Sequence, residues 1–389
     1  MVSFTVTRVP RESSVPPDHW IGNPPTHFQN PWPSAGHKLS LPHVLNTRFG
    51  KKRNFVPVPQ DRKGLVDVQT PDWGAGRAGV KATWLGHASF LIEMLAETTS
   101  SRGMRFLMDP VFAEKMGPAR LVGPARFTPT PCSLEGLPLV DAICISHNHY
   151  DHLDVDVIRR LAGSTSDKDK ARRAAAGMLS PVHIFCGLGS KAWFTGCGVG
   201  ADQITEMDWW HEVDIALGES TARLACTPSQ HGSRRGPFDQ DQMLWCSFVL
   251  RTSSQALFFA GDTGYRAVSE ADIAAKRPEE KLAHCPAFSE IGQRYGPFSL
   301  ALLPIGCYSP RTFMSGIHCS PEDAVDIHFD IGSKLSVGMH YGTVRGGISA
   351  HYEDVLEPPE RWRAAGEKRG LVWGKDFCTC SVGETVVVE

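Results

Sequence analysis

The sequence predicts an α/β sandwich, and three observations predict it. From Val80 onward, short apolar runs recur, each ending in a small or polar residue, with helical stretches between some of them. Several of those runs hand over a His or an Asp just past their last apolar residue, as a site built on one edge of a sandwich requires. The 389 residues, 41% of them hydrophobic and 21% charged, suffice to bury a sizeable core.

Residues 1–78 are rich in Pro, Gly and Asn. Asn23-Pro24-Pro25 and Asn30-Pro31-Trp32-Pro33 exclude regular helix and central strand there. Trp20, Phe28, Trp32, Phe49 and Phe55 supply apolar anchors, so 1–78 reads as an arm packed on a catalytic domain at 79–389. Strands are expected at 82–93, 104–108, 140–145, 183–186, 222–226, 243–250, 256–260, 300–305 and 335–339. Helices are expected at 155–161 and 321–329. The second begins well: Ser320 caps it, Pro321 opens it, and Glu322 and Asp323 sit in its first turn. The charged stretches 163–174 and 267–283 read as solvated insertions.

A net charge of −2 gives no basic stripe, so no nucleic-acid partner is expected. No apolar run approaches the ~18–20 residues of a membrane span. The first twenty residues lack a signal core. They mix Arg8, Arg11, Ser13 and Ser14 with Glu12 and Asp18, which leaves mitochondrial targeting open but unsupported. The expectation is an intracellular protein, cytoplasmic or peripherally attached to a membrane. Eleven cysteines without a CxxC pair read as free or buried thiols rather than a disulfide framework.

The strongest chemical signal is His147-Asn148-His149-Tyr150-Asp151-His152, directly after the apolar run ending at Ile145-Ser146. Imidazole nitrogen and carboxylate oxygen both ligate zinc well. One loop leaving a strand can aim His147 and His149 at one ion and Asp151 and His152 at a second. Further donors are expected from other strand ends: His231, Asp262 and His340.

These residues, with Gly261-Asp262-Thr263-Gly264-Tyr265, resemble the metallo-β-lactamase superfamily. The resemblance is closer to its N-acyl-phosphatidylethanolamine-hydrolysing phospholipase D family. It extends through Asn30-Pro31-Trp32-Pro33, Trp84-Leu85-Gly86-His87-Ala88, Asp109-Pro110, Met207-Asp208-Trp209-Trp210, Cys285-Pro286-Ala287-Phe288, Leu303-Pro304-Ile305-Gly306 and Leu356-Glu357-Pro358-Pro359. The resemblance implies the αβ/βα sandwich of that superfamily and two zinc ions. It places His147, His149 and His231 on one zinc and Asp151, His152 and His340 on the other, with Asp262 bridging. It implies hydrolysis of N-acyl-phosphatidylethanolamine to N-acylethanolamine and phosphatidic acid, by attack of a hydroxide shared between the ions. Asp151, Asp262 and His318 are the catalytic candidates, His318 as a general acid or phosphate-orienting group.

His87 and Asp109 are expected to orient ligands. Tyr150, Trp209 and Trp210 are expected at the pocket, the two tryptophans as a wall. Two departures from the family pattern stand out: Ile317 in place of a polar residue, and Gly232 in place of an aromatic. The expected partner is a phospholipid in a membrane touched peripherally, with a homodimer left open. Arg120 and Arg126 are candidates for a basic membrane edge, beside an apolar groove leading from the metals. The main alternative keeps fold and metals but changes the substrate: a lactonase or another phosphodiesterase. A nuclease or a non-enzymatic binding module would account less well for the ligand set and the charge.

Overall fold

The computed structural model describes residues 2–10, 15–36, 45–47, 49–50, 55–94, 102–118, 123–163, 167–345 and 353–389. Two large β-sheets face each other. One has seven strands in the order Ile204–Met207, His183–Gly187, Ala142–Ile145, Arg105–Met108, Ser89–Glu93, Val80–Gly86 and Thr385–Val388. The other has eight: Phe4–Arg8, Glu212–Leu217, Ser220–Thr227, Ser247–Arg251, Ala256–Phe259, Leu300–Pro304, Ser336–Met339 and Phe377–Cys378.

Period-two alternation sorts the first sheet's side chains into two layers. Phe90, Ile92, Phe106, Met108, Ala142 and Cys144 join the core between the sheets. Leu91, Leu107, Ile143 and Ile145 face the other way and pack with Val157, Ile158, Leu161 and Phe194 of the helices Val155–Leu161 and Lys191–Gly196. The helices Ala287–Tyr295, Pro321–Asp330 and Glu357–Lys368 pack with one another beside the second sheet. The result is a helix–sheet–sheet–helix sandwich. Pro321–Asp330 starts as its sequence dictates, with Ser320 and Asp323 forming a reciprocal capping box.

Several expectations need correction. Residues 82–93 form two antiparallel strands rather than one, because the chain reverses at His87-Ala88. The stretch 163–174 is not merely a solvated insertion. It carries most of the helix Asp167–Ala175, whose buried Arg173 donates to the carbonyls of Ser180 and Val140. Phe49 is 67% exposed rather than a buried anchor, whereas Phe28 is buried. Sequence reading also missed the strands Phe4–Arg8, Ile204–Met207, Glu212–Leu217 and Thr385–Val388 and the helix Glu357–Lys368. None of the eleven cysteines is in a disulfide, and eight of them are buried.

Candidate metal centre

Each cluster residue leaves the end of a strand or follows a few residues beyond one. The Ala142–Ile145 strand leads into residues 147–152, and Ser220–Thr227 leads to His231. Asp262 follows Ala256–Phe259, His340 follows Ser336–Met339, Asp109 follows Arg105–Met108, and His87 follows Val80–Gly86. His87, Asp109 and His340 all have positive φ, at 54°, 38° and 65°. Such backbone costs ~1–3 kcal/mol per residue and persists where the surroundings impose it. The loops approach closely at Gly261, whose φ is 60° and where a Cβ would lie 2.7 Å from the Ser146 Cβ.

The predicted residues converge. His147, His149 and His231 bring donor atoms within 4.8 Å of one another, and so do Asp151, His152, His340 and His87. In the first set, His149 Nδ1 lies 2.8 Å from His147 Nε2 and 3.2 Å from His231 Nε2. In the second, His152 Nε2 and His340 Nε2 are 3.2 Å apart. Asp262 lies between the sets. Its Oδ1 is 3.0 Å from His340 Nε2, and its Oδ2 is 3.1 Å from His152, 3.8 Å from His231 and 3.9 Å from His147.

Hydrogen bonds around the rim set which nitrogens face inward. His231 Nδ1 donates to the Ile317 carbonyl at 2.8 Å, leaving Nε2 as the inward acceptor. The departure at Ile317 therefore leaves this contact intact, since the backbone makes it. His152 Nδ1 meets Asp109 Oδ2 at 2.8 Å. Asp109 also accepts from the Ser146 hydroxyl and from the Ser146 amide, the latter at 2.7 Å. With its proton committed to Asp109, the Ser146 hydroxyl accepts from His147 Nδ1 at 2.9 Å. His87 Nε2 lies 3.1 Å from Asp151 Oδ2.

Burial, then the neighbouring rings, hold the His147 pKa well below the ordinary imidazole value, and His149 is pushed down to about 3. Burial works against the Asp262 anion too, yet His152, His340 and His318 hold that carboxyl well below its usual range. Neutral imidazoles and an ionised carboxylate are the forms that bind metal. Metal–imidazole bonds of ~2.0–2.1 Å set neighbouring donors ~2.8–3.4 Å apart in octahedral or tetrahedral geometry. The inward nitrogens at 2.8 and 3.2 Å fit that spacing.

His318 is 8% exposed, its Nδ1 lies 3.9 Å from Asp262 Oδ2, and that nitrogen has no hydrogen-bond partner among the described residues. Its ring is 5.2 Å from His231 and 5.4 Å from His340, so it touches both sets. Tyr150 is half-buried beneath the Arg235 guanidinium, 4.0 Å from its ring centroid.

The tryptophans are not a wall. Trp209 is 2% exposed and stacks on His19 at 4.2 Å and Trp32 at 5.4 Å, so it receives the N-terminal segment. Trp210 is half-buried under the Arg294 guanidinium at 4.2 Å. Arg126 is no membrane edge either: it is buried and donates to the Val111 carbonyl at 2.8 Å. Arg120 lies outside the described residues. The cavity lined by His87, His340 and Glu353 holds about 20 Å³. A hollow of about 800 Å³ lies elsewhere, lined by Thr5, Thr7, Asp214, Arg223 and Arg251.

Sequence reasoning did not single out Ser146, although its place between strand and motif was the available signal. It also missed Gln230, which ties the cluster to the N-terminal segment by accepting from Ser34 Oγ at 2.6 Å.

The chain has recognisable relatives. A family model described as a β-lactamase superfamily domain matches residues 104–341. N-acyl-phosphatidylethanolamine-hydrolyzing phospholipase D 1 of Caenorhabditis elegans is 32% identical over 368 residues, covering 92% of this chain and 91% of that protein. The mitochondrial N-acyl-phosphatidylethanolamine-hydrolyzing phospholipase D of Saccharomyces cerevisiae is 32% identical over 84% of this chain and 61% of its own length. Among solved structures, an isothiocyanate hydrolase from Delia radicum gut bacteria superposes with a TM-score of 0.51 at 19% identity, covering 79% of this chain and 98% of that one. It shares the fold. The chain is a metal-dependent hydrolase that belongs to the N-acyl-phosphatidylethanolamine-hydrolysing phospholipase D family of the metallo-β-lactamase superfamily.

Proposed function

We propose that this protein is a zinc phosphodiesterase that hydrolyses N-acyl-phosphatidylethanolamine to N-acylethanolamine and phosphatidic acid. What supports the reaction class is the position of Asp262 between two histidine-rich donor sets. What supports the substrate is the 32% identity over 92% of the chain to an enzyme named for it.

In this reading His147, His149 and His231 would hold one ion and Asp151, His152 and His340 the other, with the Asp262 carboxylate between the two sets. Two ions held there would supply Lewis acidity toward a phosphoryl oxygen and make water a competent nucleophile near neutral pH. The residues of the chain do the rest. Asp109 and Ser146 fix the rings of His152 and His147, His87 holds Asp151, and the Ile317 carbonyl holds His231. His318 offers a buried ring nitrogen beside Asp262, placed to orient the phosphate or to protonate the leaving oxygen. Balance requires that a water oxygen bond to phosphorus, that the phosphorus–ethanolamine oxygen bond break, and that the departing oxygen take a proton.

The test is turnover of a panel by the metal-loaded protein: N-acyl-phosphatidylethanolamine, phosphatidylcholine, a short soluble phosphodiester and a lactone. The N-acylated lipid is expected to be cleaved most efficiently. Efficient lactone cleavage with no phospholipid turnover would replace the substrate and leave the dinuclear centre standing.

A further inference from the structure

Phe238 is the most exposed large apolar side chain among the described residues, at 89%. It sits in the loop 232–242, which begins directly after His231. The loop is firmly built. Asp239 accepts from the amides of Arg235 at 3.1 Å and Gly236 at 2.7 Å. Asp241 donates its amide to the Ser233 carbonyl at 2.7 Å and accepts from the Phe28 amide at 2.8 Å. Arg235 fastens the loop to the motif: it donates to the Asn148 carbonyl at 3.0 Å and lies over Tyr150 and Trp193 at 4.0 and 4.9 Å. Phe238 therefore stands on a hydrogen-bonded loop that Arg235 ties to Asn148 and Tyr150 of the motif.

The charges of the loop are sorted. Asp239 is turned inward onto backbone amides, and Asp241 is 6% exposed. Arg234 is exposed, its guanidinium touching the loop's own carbonyls at Gly236 and Pro237, 3.1 and 3.4 Å away. The outward side thus presents a cation, an exposed proline and an exposed aromatic, with both loop carboxylates facing in.

We propose that this tip, Arg234 with Pro237 and Phe238, is the protein's contact with an anionic lipid bilayer. The proposal rests on the phospholipid reading above. Acylating the amine of phosphatidylethanolamine removes its positive charge, so the phosphodiester leaves the substrate headgroup net negative and complementary to Arg234. Aromatic rings settle at headgroup depth, and basic side chains are drawn to anionic leaflets by an attraction that salt screens. The tip takes the role that sequence reading assigned to Arg126, which is buried.

The experiment is co-sedimentation of the full-length, metal-loaded protein with vesicles of phosphatidylcholine and phosphatidylglycerol, a lipid that is not the substrate. Phe238→Asp should lower partitioning at least about ten-fold, because the buried area of the ring is lost to the membrane. Its melting temperature should not change, since the side chain makes no core contact at 89% exposure. Phe238→Trp should bind as the parent does, and Arg234→Ser should bind more weakly with a flatter salt dependence. Parental binding by Phe238→Asp would overturn the proposal. So would a shift of that variant from dimer to monomer with vesicle binding unchanged, which would make the tip a contact between two copies. Vesicle binding that depends on Phe238, in a protein that cleaves no N-acylated lipid, would uphold the surface and sink the substrate reading. Hydrolysis of that lipid in detergent micelles by a protein that ignores vesicles would do the reverse.

Discussion

Asp109 fixes His152 directly and His147 through Ser146. One buried carboxylate accepts from His152 Nδ1 at 2.8 Å and from the Ser146 hydroxyl, and that hydroxyl accepts in turn from His147 Nδ1 at 2.9 Å. The two imidazoles belong to different donor sets, so one residue sets the geometry of both.

Asp109→Asn should therefore weaken metal affinity ~10–100-fold, the usual cost of removing a group that orients a ligand. Ser146→Ala removes only the branch to His147 and should cost less. Metal titration of the two variants checks this, with circular dichroism to show that both remain folded. Parental affinity in Asp109→Asn would show that the ligands hold their own orientation.

His318 should behave differently from a ligand. His318→Ala is expected to keep its metal and to lose ~10²–10⁴ in turnover, the scale of a lost proton-transfer or orienting group. Metal analysis beside steady-state kinetics separates the cases. Loss of metal would make His318 a ligand, and an unchanged rate would make it structural.

The candidate donor set was legible because metal chemistry constrains residue type, and strand ends are where the apolar pattern stops. His147, His149, Asp151, His152, His231, Asp262 and His340 could be found from those two facts and the family resemblance. Polar side chains whose only role is to support others carry no such signature, and Ser146 was overlooked for that reason. Aromatic pairs mislead in the opposite direction: Trp209 reads as a wall but lies buried against His19 and Trp32, partners about 180 residues away in sequence. Arg126 misled likewise. A guanidinium can be buried when backbone carbonyls accept from it, and those of Val111 and Ala113 do. Short edge strands such as Thr385–Val388 owe their state to the neighbouring Val80–Gly86 rather than to a long pattern of their own.

Glu353 should give stability a distinctive pH dependence. Its buried carboxylate accepts from the amides of Cys307, Tyr308 and Ser309, yet burial outweighs those donors and raises its pKa to about 7. A folded-state pKa above the unfolded value means that the folded protein holds the proton longer. The stabilisation is complete below the unfolded value of 4.5 and is lost as pH rises through about 7. Melting temperatures between pH 5 and 8 should fall less steeply in Glu353→Gln than in the parent. Identical slopes would remove Glu353 as the titrating group.

Chelation should abolish turnover and lower the melting temperature together, since ions that bind the folded chain stabilise it by mass action. Zinc should restore both. Recovery with manganese or iron but not zinc would keep the centre and change the metal, because His and Asp donors suit several ions.

The central claim is that the His/Asp cluster breaks the phosphodiester on its headgroup side by adding water to phosphorus. The most direct test is hydrolysis of N-acyl-phosphatidylethanolamine by the metal-loaded protein in ¹⁸O-labelled water, with both products analysed by mass spectrometry. The account predicts one labelled oxygen in phosphatidic acid and none in the N-acylethanolamine. Label in the ethanolamine hydroxyl, or release of diacylglycerol in place of phosphatidic acid, would contradict it.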